Sequence, residues 1–165
     1  MILRSLFLAL GAAVCTLGAA SAQDTRPVLN HATVTTIMDT CLAWSEERDL
    51  NMSIAVVDAS TQLRGFITMD DARYVTRAIA ERKAVTAATF GSPSGQVEWV
   101  GDVPGALSDG VLIVLQGGVP VFTEDGALLG GVGVSGAPAA VDEQCAMAGV
   151  EAAGLVHGVE VSETE

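Results

Sequence analysis

The spacing of apolar positions changes several times along the chain, and each change marks an element. From Asn30 to about Arg48, Ala32, Ile37, Cys41 and Trp44 recur near helical spacing, and Asp49 with Asn51 closes the segment. Met52 to Asp58 is rich in β-formers, and Ser60-Thr61-Gln62 turns the chain into a second strand, Leu63 to Met69. Asp70 and Asp71 then precede a run from Ala72 to Phe90 with no Gly or Pro inside, and acids there suit the positive end of a helix. Pro93, Gly95, Gly101, Pro104 and Gly105 make Gly91 to Gly110 a loop with at most short helical turns. Three further strands are expected, Val111 to Leu115, Val119 to Thr123 and Ala127 to Val134, turned by Gly117-Gly118 and Glu124-Asp125-Gly126. Ala139 to Ala153 predicts a final Ala-rich helix. Short turns make neighbouring strands antiparallel, so the pattern predicts an α+β domain with one five-stranded antiparallel sheet and packed helices.

The leading segment follows a different logic. Met1 to Ala22 carries Arg4, an apolar run from Leu6 to Leu17 and the small residues Ala20-Ser21-Ala22, the order of a secretory signal cleaved before Gln23. An uncleaved anchor fits less well, because the apolar core is shorter than the roughly 20 residues that span a bilayer. The mature chain is therefore expected in the periplasm or secreted, without stable membrane insertion. Residues 23–28 form a lead-in, 29–154 the domain and 155–165 a tail. Cys41 and Cys145 remain after cleavage and either form one intrachain disulfide or stay as two buried thiols. An oxidising compartment favours the bridge.

Of the 165 residues, 50% are hydrophobic and 17% charged, so the chain can bury a core and disorder is excluded. Lys+Arg number 8 against 20 Asp+Glu, a net charge of −12 that repels phosphate backbones and argues against a nucleic-acid partner.

Against this acidic background the cations are unevenly placed. Arg73, Arg77, Arg82 and Lys83, the only lysine, share the helix predicted from Ala72 to Phe90. Ala72, Thr76, Ile79, Lys83, Thr86 and Phe90 fall along one face of it. A cationic cluster in an acidic protein suits an anionic ligand, although arginines paired with acids such as Glu81 would look the same. Gly131-Val132-Gly133-Val134-Ser135-Gly136 reads as G-x-G-x-x-G, but too little chain follows for a dinucleotide-binding unit. Its glycines instead predict a strand pressed against a helix or a ligand. His31 and His157 lack local metal spacing, and Ser92, Ser94 and Ser135 lack a nucleophile-elbow context. The pairs Asp70-Asp71, Glu124-Asp125 and Asp142-Glu143 suit turns and helix starts better than a cation site.

Five blocks in order carry a resemblance: Ile54-Ala55-Val56-Val57-Asp58, Met69-Asp70-Asp71-Ala72, Lys83-Ala84-Val85-Thr86-Ala87, Gly117-Gly118-Val119-Pro120, and Gly131 to Ala137 with Asp142-Glu143. From about Leu29 to Ala153 the chain resembles the GlcG/HbpS haem-binding family. That resemblance implies a profilin-like fold, homo-oligomers and haem binding, with haem degradation in some members. It places Lys83 and Thr86 at the pocket, either of them as haem-iron ligand, and Gly131, Gly133 and Gly136 in its wall. Thr76, Ile79 and Phe90 would line the slot, and Lys83 with Arg77 or Arg73 would meet the propionates. Thr68 and Asp71 stand where the family's Arg-Met-Asp-Gly-Ala block has Arg and Gly. The resulting expectation is an exported haem-binding protein that sequesters or delivers haem or assists its degradation. The alternative is a non-enzymatic sensor or assembly module for another small anion or a protein partner. An enzyme acting on a small organic acid comes third, for want of an identifiable acid/base pair, and catalysis is left undecided.

Overall fold

The computed structural model describes residues 25–158. The expected secretory signal and most of the tail lie outside them. Helix α1 (His31–Glu46) starts where Asn30 accepts from the Thr33 backbone N–H at 2.9 Å, satisfying an otherwise orphaned donor. It buries Val34, Ile37, Cys41 and Ser45, a stripe at helical spacing. Strands β1 (Ser53–Asp58) and β2 (Leu63–Thr68) form the expected hairpin, in which Asp58 Oδ1 accepts from the N–H groups of Ser60 and Gln62. Helix α2 (Thr76–Phe90) follows and ends on Gly91, whose φ of 58° a residue without Cβ adopts freely. Strands β3 (Gly118–Phe122) and β4 (Leu128–Ser135) and helix α3 (Ala139–Ala152) complete the order.

Among the described residues the sheet has four strands, not five, in the order β2-β1-β4-β3 with every pair antiparallel. The segment expected as a strand at Val111 to Leu115 makes its hydrogen bonds elsewhere. Ile113 N–H donates to Thr86 Oγ1, and the Leu115 carbonyl accepts from Ser94 Oγ. The outer edge of β3, where a fifth strand would add, is met at Gly118 by Ser94 and at Phe122 by Val156. A second difference lies at the start of α2, expected at Ala72. Residues 71–75 form turns instead, and Asp70 and Asp71 precede the helix without entering its first turn.

The sheet is covered on both sides. Ile54 and Val56 of β1 join a large cluster with α1 and α3, while Ala55 and Val57 face Ala80, Ala84 and Ala88 of α2. The Cys41–Cys145 disulfide ties α1 to α3 inside the large cluster, across 104 residues of sequence. Closing so long a loop in the unfolded chain stabilises the fold by about 2–4 kcal/mol.

Where β4 meets α2 the residues are small because the backbones touch. A Cβ on Gly133 would lie 2.1 Å from Ala80 O, and one on Gly131 would lie 2.4 Å from Ala84 O. Gly133→Ala is therefore expected to lower unfolding free energy by at least ~2 kcal/mol through overpacking. Gly101, with nothing within 4 Å of its Cβ position, is the control. Urea denaturation should leave Gly101→Ala within about 0.5 kcal/mol of the native chain.

Candidate functional site

The alanine face of α2 carries Lys83 into the interior. Lys83 is 2% exposed, and its Nζ donates to Asp142 Oδ2 at 2.9 Å and to Val134 O at 2.8 Å. Asp142, in the first turn of α3, also accepts from the Ala137 N–H at 2.9 Å. Burial pushes the Asp142 carboxyl above the usual aspartate range, against the pull of the Lys83 hydrogen bond and charge. Lys83 thus joins α2 to β4 and α3, with its ammonium held by two internal acceptors. Thr86 is likewise buried, its Oγ1 accepting from Ile113 N–H.

The other residues expected at a pocket divide the same way. Thr76 is buried and bonds Ser53 Oγ at 2.9 Å and Arg73 O at 2.6 Å. Gly131 and Gly133 face the α2 backbone, and the space before Gly136 is filled by Asn51 and Met52. Ile79 is half-buried. Phe90 stacks edge-on with Trp99 at 5.4 Å, roughly 20 Å along the helix from Arg77 at 1.5 Å per residue. No slot separates the helix from the glycine strand. Of the predicted set, Arg77 lines an open concavity, together with Arg73, which sequence reasoning had paired with it.

That concavity has a volume of about 580 Å³, within the range of small-molecule sites. Thr68 at the end of β2, Ala72 to Val75 in the turn, and Arg77 and Ala78 of α2 line it. The turn presents its apolar groups outward: Tyr74 is fully exposed and Val75 is 55% exposed. The Arg77 guanidinium lies 5.3 Å from the Phe66 ring centre, a cation–π contact that holds it beside β2. Among the described residues neither Arg73 nor Arg77 has a carboxylate partner. A second cavity, about 300 Å³ and bounded by Glu81, Arg82 and Val111, shares Ala78 with the first. Two uncompensated guanidiniums beside exposed apolar side chains suit a flat ligand with acidic substituents.

The remaining sequence candidates have local partners. Glu143 accepts from Gln116 Nε2 and from the Gly117 N–H, Asp125 accepts from Thr123 Oγ1, and His157 pairs with Glu151. His31 is exposed at the start of α1. Among the described residues no group of three or more His, Cys, Asp or Glu is placed to hold a metal ion. Tyr74 was missed from sequence. Its signal was available: the chain's one tyrosine stands between two arginines of the cationic cluster.

Residues 29–151 match the model of the HbpS-like haem-degrading proteins. The chain belongs to this family. A crystal structure of HbpS is similar with a TM-score of 0.72 and 29% identity, over 81% of this chain and 96% of that one. A double mutant of Streptomyces reticuli HbpS gives 0.72 and 27%, over 86% and 97%. The fold is also that of PduOC in a haem complex, with a TM-score of 0.74 and 22% identity, over 81% of this chain and 100% of that one. Comparison with curated proteins finds no match.

The Lys83–Asp142 pair is open to a direct test. Lys83→Met leaves a buried carboxylate without its cation and should cost about 3 kcal/mol at neutral pH. The fold holds the Asp142 proton more tightly than the unfolded chain does. Stability is therefore present below the ordinary aspartate range and lost as pH rises through the raised value. Acidification should recover part of the Lys83→Met deficit. Lys83→Met/Asp142→Leu, with neither charge, should return to within about 1 kcal/mol of the native chain in urea melts.

Proposed function

We propose that this protein binds haem in the groove formed by the turn before α2, and that it works outside the cytoplasm in haem sequestration, delivery or accessory degradation. The observation that carries the reading is the pair Arg73 and Arg77, without carboxylate partners, on an open cavity of about 580 Å³. Family membership and the likeness to HbpS at 29% identity support it. Arg73 and Arg77 would pair with the two propionates, and Ala72 and Val75 would give the macrocycle an apolar contact. Bound haem supplies a redox-active iron. Lys83 and Thr86 act here as the internal frame that fixes α2, not as groups in the groove.

Haemin added to the purified chain should give a saturable Soret shift. Each of Arg73→Ala and Arg77→Ala should weaken the affinity about fivefold, the value of roughly 1 kcal/mol for a partly exposed charged contact. Lys83→Met/Asp142→Leu should bind as tightly as the native chain, whereas a pocket built on Lys83 would lose its ligand. With ascorbate and dioxygen, the Soret band of the complex should fade faster than that of free haemin. No saturable shift would favour the alternative, a sensor or assembly module for another small anion.

Export and self-association belong to the same reading. Met1 to Ala22 supports export, and among the described residues no helix is long and apolar enough to cross a membrane. Trp99, Val103, Leu107, Val111 and Leu115 are exposed along one loop, an apolar surface that a second copy of the chain would cover. Intact-mass analysis of the exported protein should find a chain beginning at Gln23, and light scattering should give a multiple of its mass. Trp99→Asp with Leu107→Asp should return the single-chain mass.

A further inference from the structure

We propose that Tyr74 is the iron ligand of this protein, its phenolate oxygen bonding ferric haem held by Arg73 and Arg77. The proposal rests on the haem reading above and assigns the one group that reading leaves open.

The argument begins with the supply of donor atoms. Guanidiniums do not give up a proton to bind metal, so the arginines of the groove can meet only the propionates. The Thr68 hydroxyl is a weak neutral donor and lies 3.2 Å from Ser53 Oγ. Most of the stronger ligand types are engaged elsewhere, and none of them lines the groove. Cys41 and Cys145 are bridged, Lys83 is paired with Asp142, and His157 is paired with Glu151. His31 is exposed at the start of α1, outside the residues that line the groove, and Met69 Sδ accepts from the Met52 N–H. Tyr74 Oη is the oxygen donor among the groove residues that becomes an anionic ligand on binding a ferric ion.

Exposure and charge point the same way. A fully exposed tyrosine beside a half-exposed valine leaves apolar surface in water, and a macrocycle seated on the turn removes it. Ferric iron is a hard acid that a phenolate suits, as in other tyrosine-ligated haems. The phenol releases its proton to solvent as the O–Fe bond forms, and iron keeps its oxidation state. Phenolate and two propionates against the single positive charge of ferric porphyrin leave two negative charges, which Arg73 and Arg77 neutralise. In a chain of net charge −12 such local compensation is required for a dianionic complex to settle.

The test is spectroscopic and uses the full mature chain with ferric haem. The native complex should show a phenolate-to-iron charge-transfer band and phenolate modes in resonance Raman spectra. Tyr74→Phe keeps the ring and, at a fully exposed position, the fold, which circular dichroism checks. It should lose both signatures and weaken binding about tenfold while the Soret shift persists. Tyr74→His should replace them with an imidazole-ligated spectrum. A native complex without phenolate modes, or a Tyr74→Phe complex with the native spectrum, overturns the assignment while the haem reading stands. Absence of saturable binding by the native chain overturns both.

Discussion

The contact of α2 with β4 governs everything else in this molecule. Ala80 and Ala84 lie on Gly133 and Gly131 so closely that no side chain fits between the two backbones. That contact closes the space in which the helix and the glycine strand would otherwise enclose a ligand. Lys83 then has one route out of the helix, past the Gly117-Gly118 corner, where a Cβ on Gly117 would lie 2.5 Å from its Nζ. The route ends at Asp142. A buried charge needs a partner within hydrogen-bond distance, and the first turn of α3 provides it. The close helix–strand contact and the ion pair are thus two parts of one arrangement, which fixes α2 against both β4 and α3.

With α2 fixed, the open part of the cationic cluster is its leading end. Arg73 precedes the helix and Arg77 lies in its first turn, so both stand beyond the alanine stripe that meets the sheet. The turn of residues 71–75 is anchored from inside by Thr76, whose hydroxyl bonds both Ser53 of β1 and the Arg73 carbonyl. An anchor of this kind places the neighbouring exposed side chains on a rigid base, which reduces the ordering cost of binding.

Most of the fold was legible because hydrophobic periodicity and turn chemistry agree along most of the chain. The hairpin at Ser60-Thr61-Gln62, the two outer helices and the glycine-flanked strands carry their signals locally. The error at Val111 to Leu115 has a physical origin: an apolar β-like run satisfies its backbone with Thr86 and Ser94, and those partners lie 27 and 21 residues away in sequence. The site was legible only in part. Sequence located the cationic helix and Arg77, but a helical face does not reveal which side is buried when both sides hold small residues. Lys83 has Ala80, Ala84 and Ala87 as helical neighbours, the mark of a stripe pressed on backbone, and that mark places its amine inside.

The division of the four cations follows from the same constraint. Lysine tolerates burial at one carboxylate because its ammonium is compact, and one carboxylate oxygen with one backbone carbonyl compensates its charge and two of its donors. Arginine presents a broader fork that is harder to desolvate, and Arg73, Arg77 and Arg82 all remain at the surface. Arg82 borders the smaller cavity, and Arg73 and Arg77 the larger. One helix therefore separates two electrostatic tasks by residue type: its lysine holds the layers together, while its arginines give an otherwise anionic surface a local positive rim. A ligand bearing acidic groups would meet attraction at that rim and repulsion over most of the remaining surface, so charge alone favours the groove over the rest of the molecule.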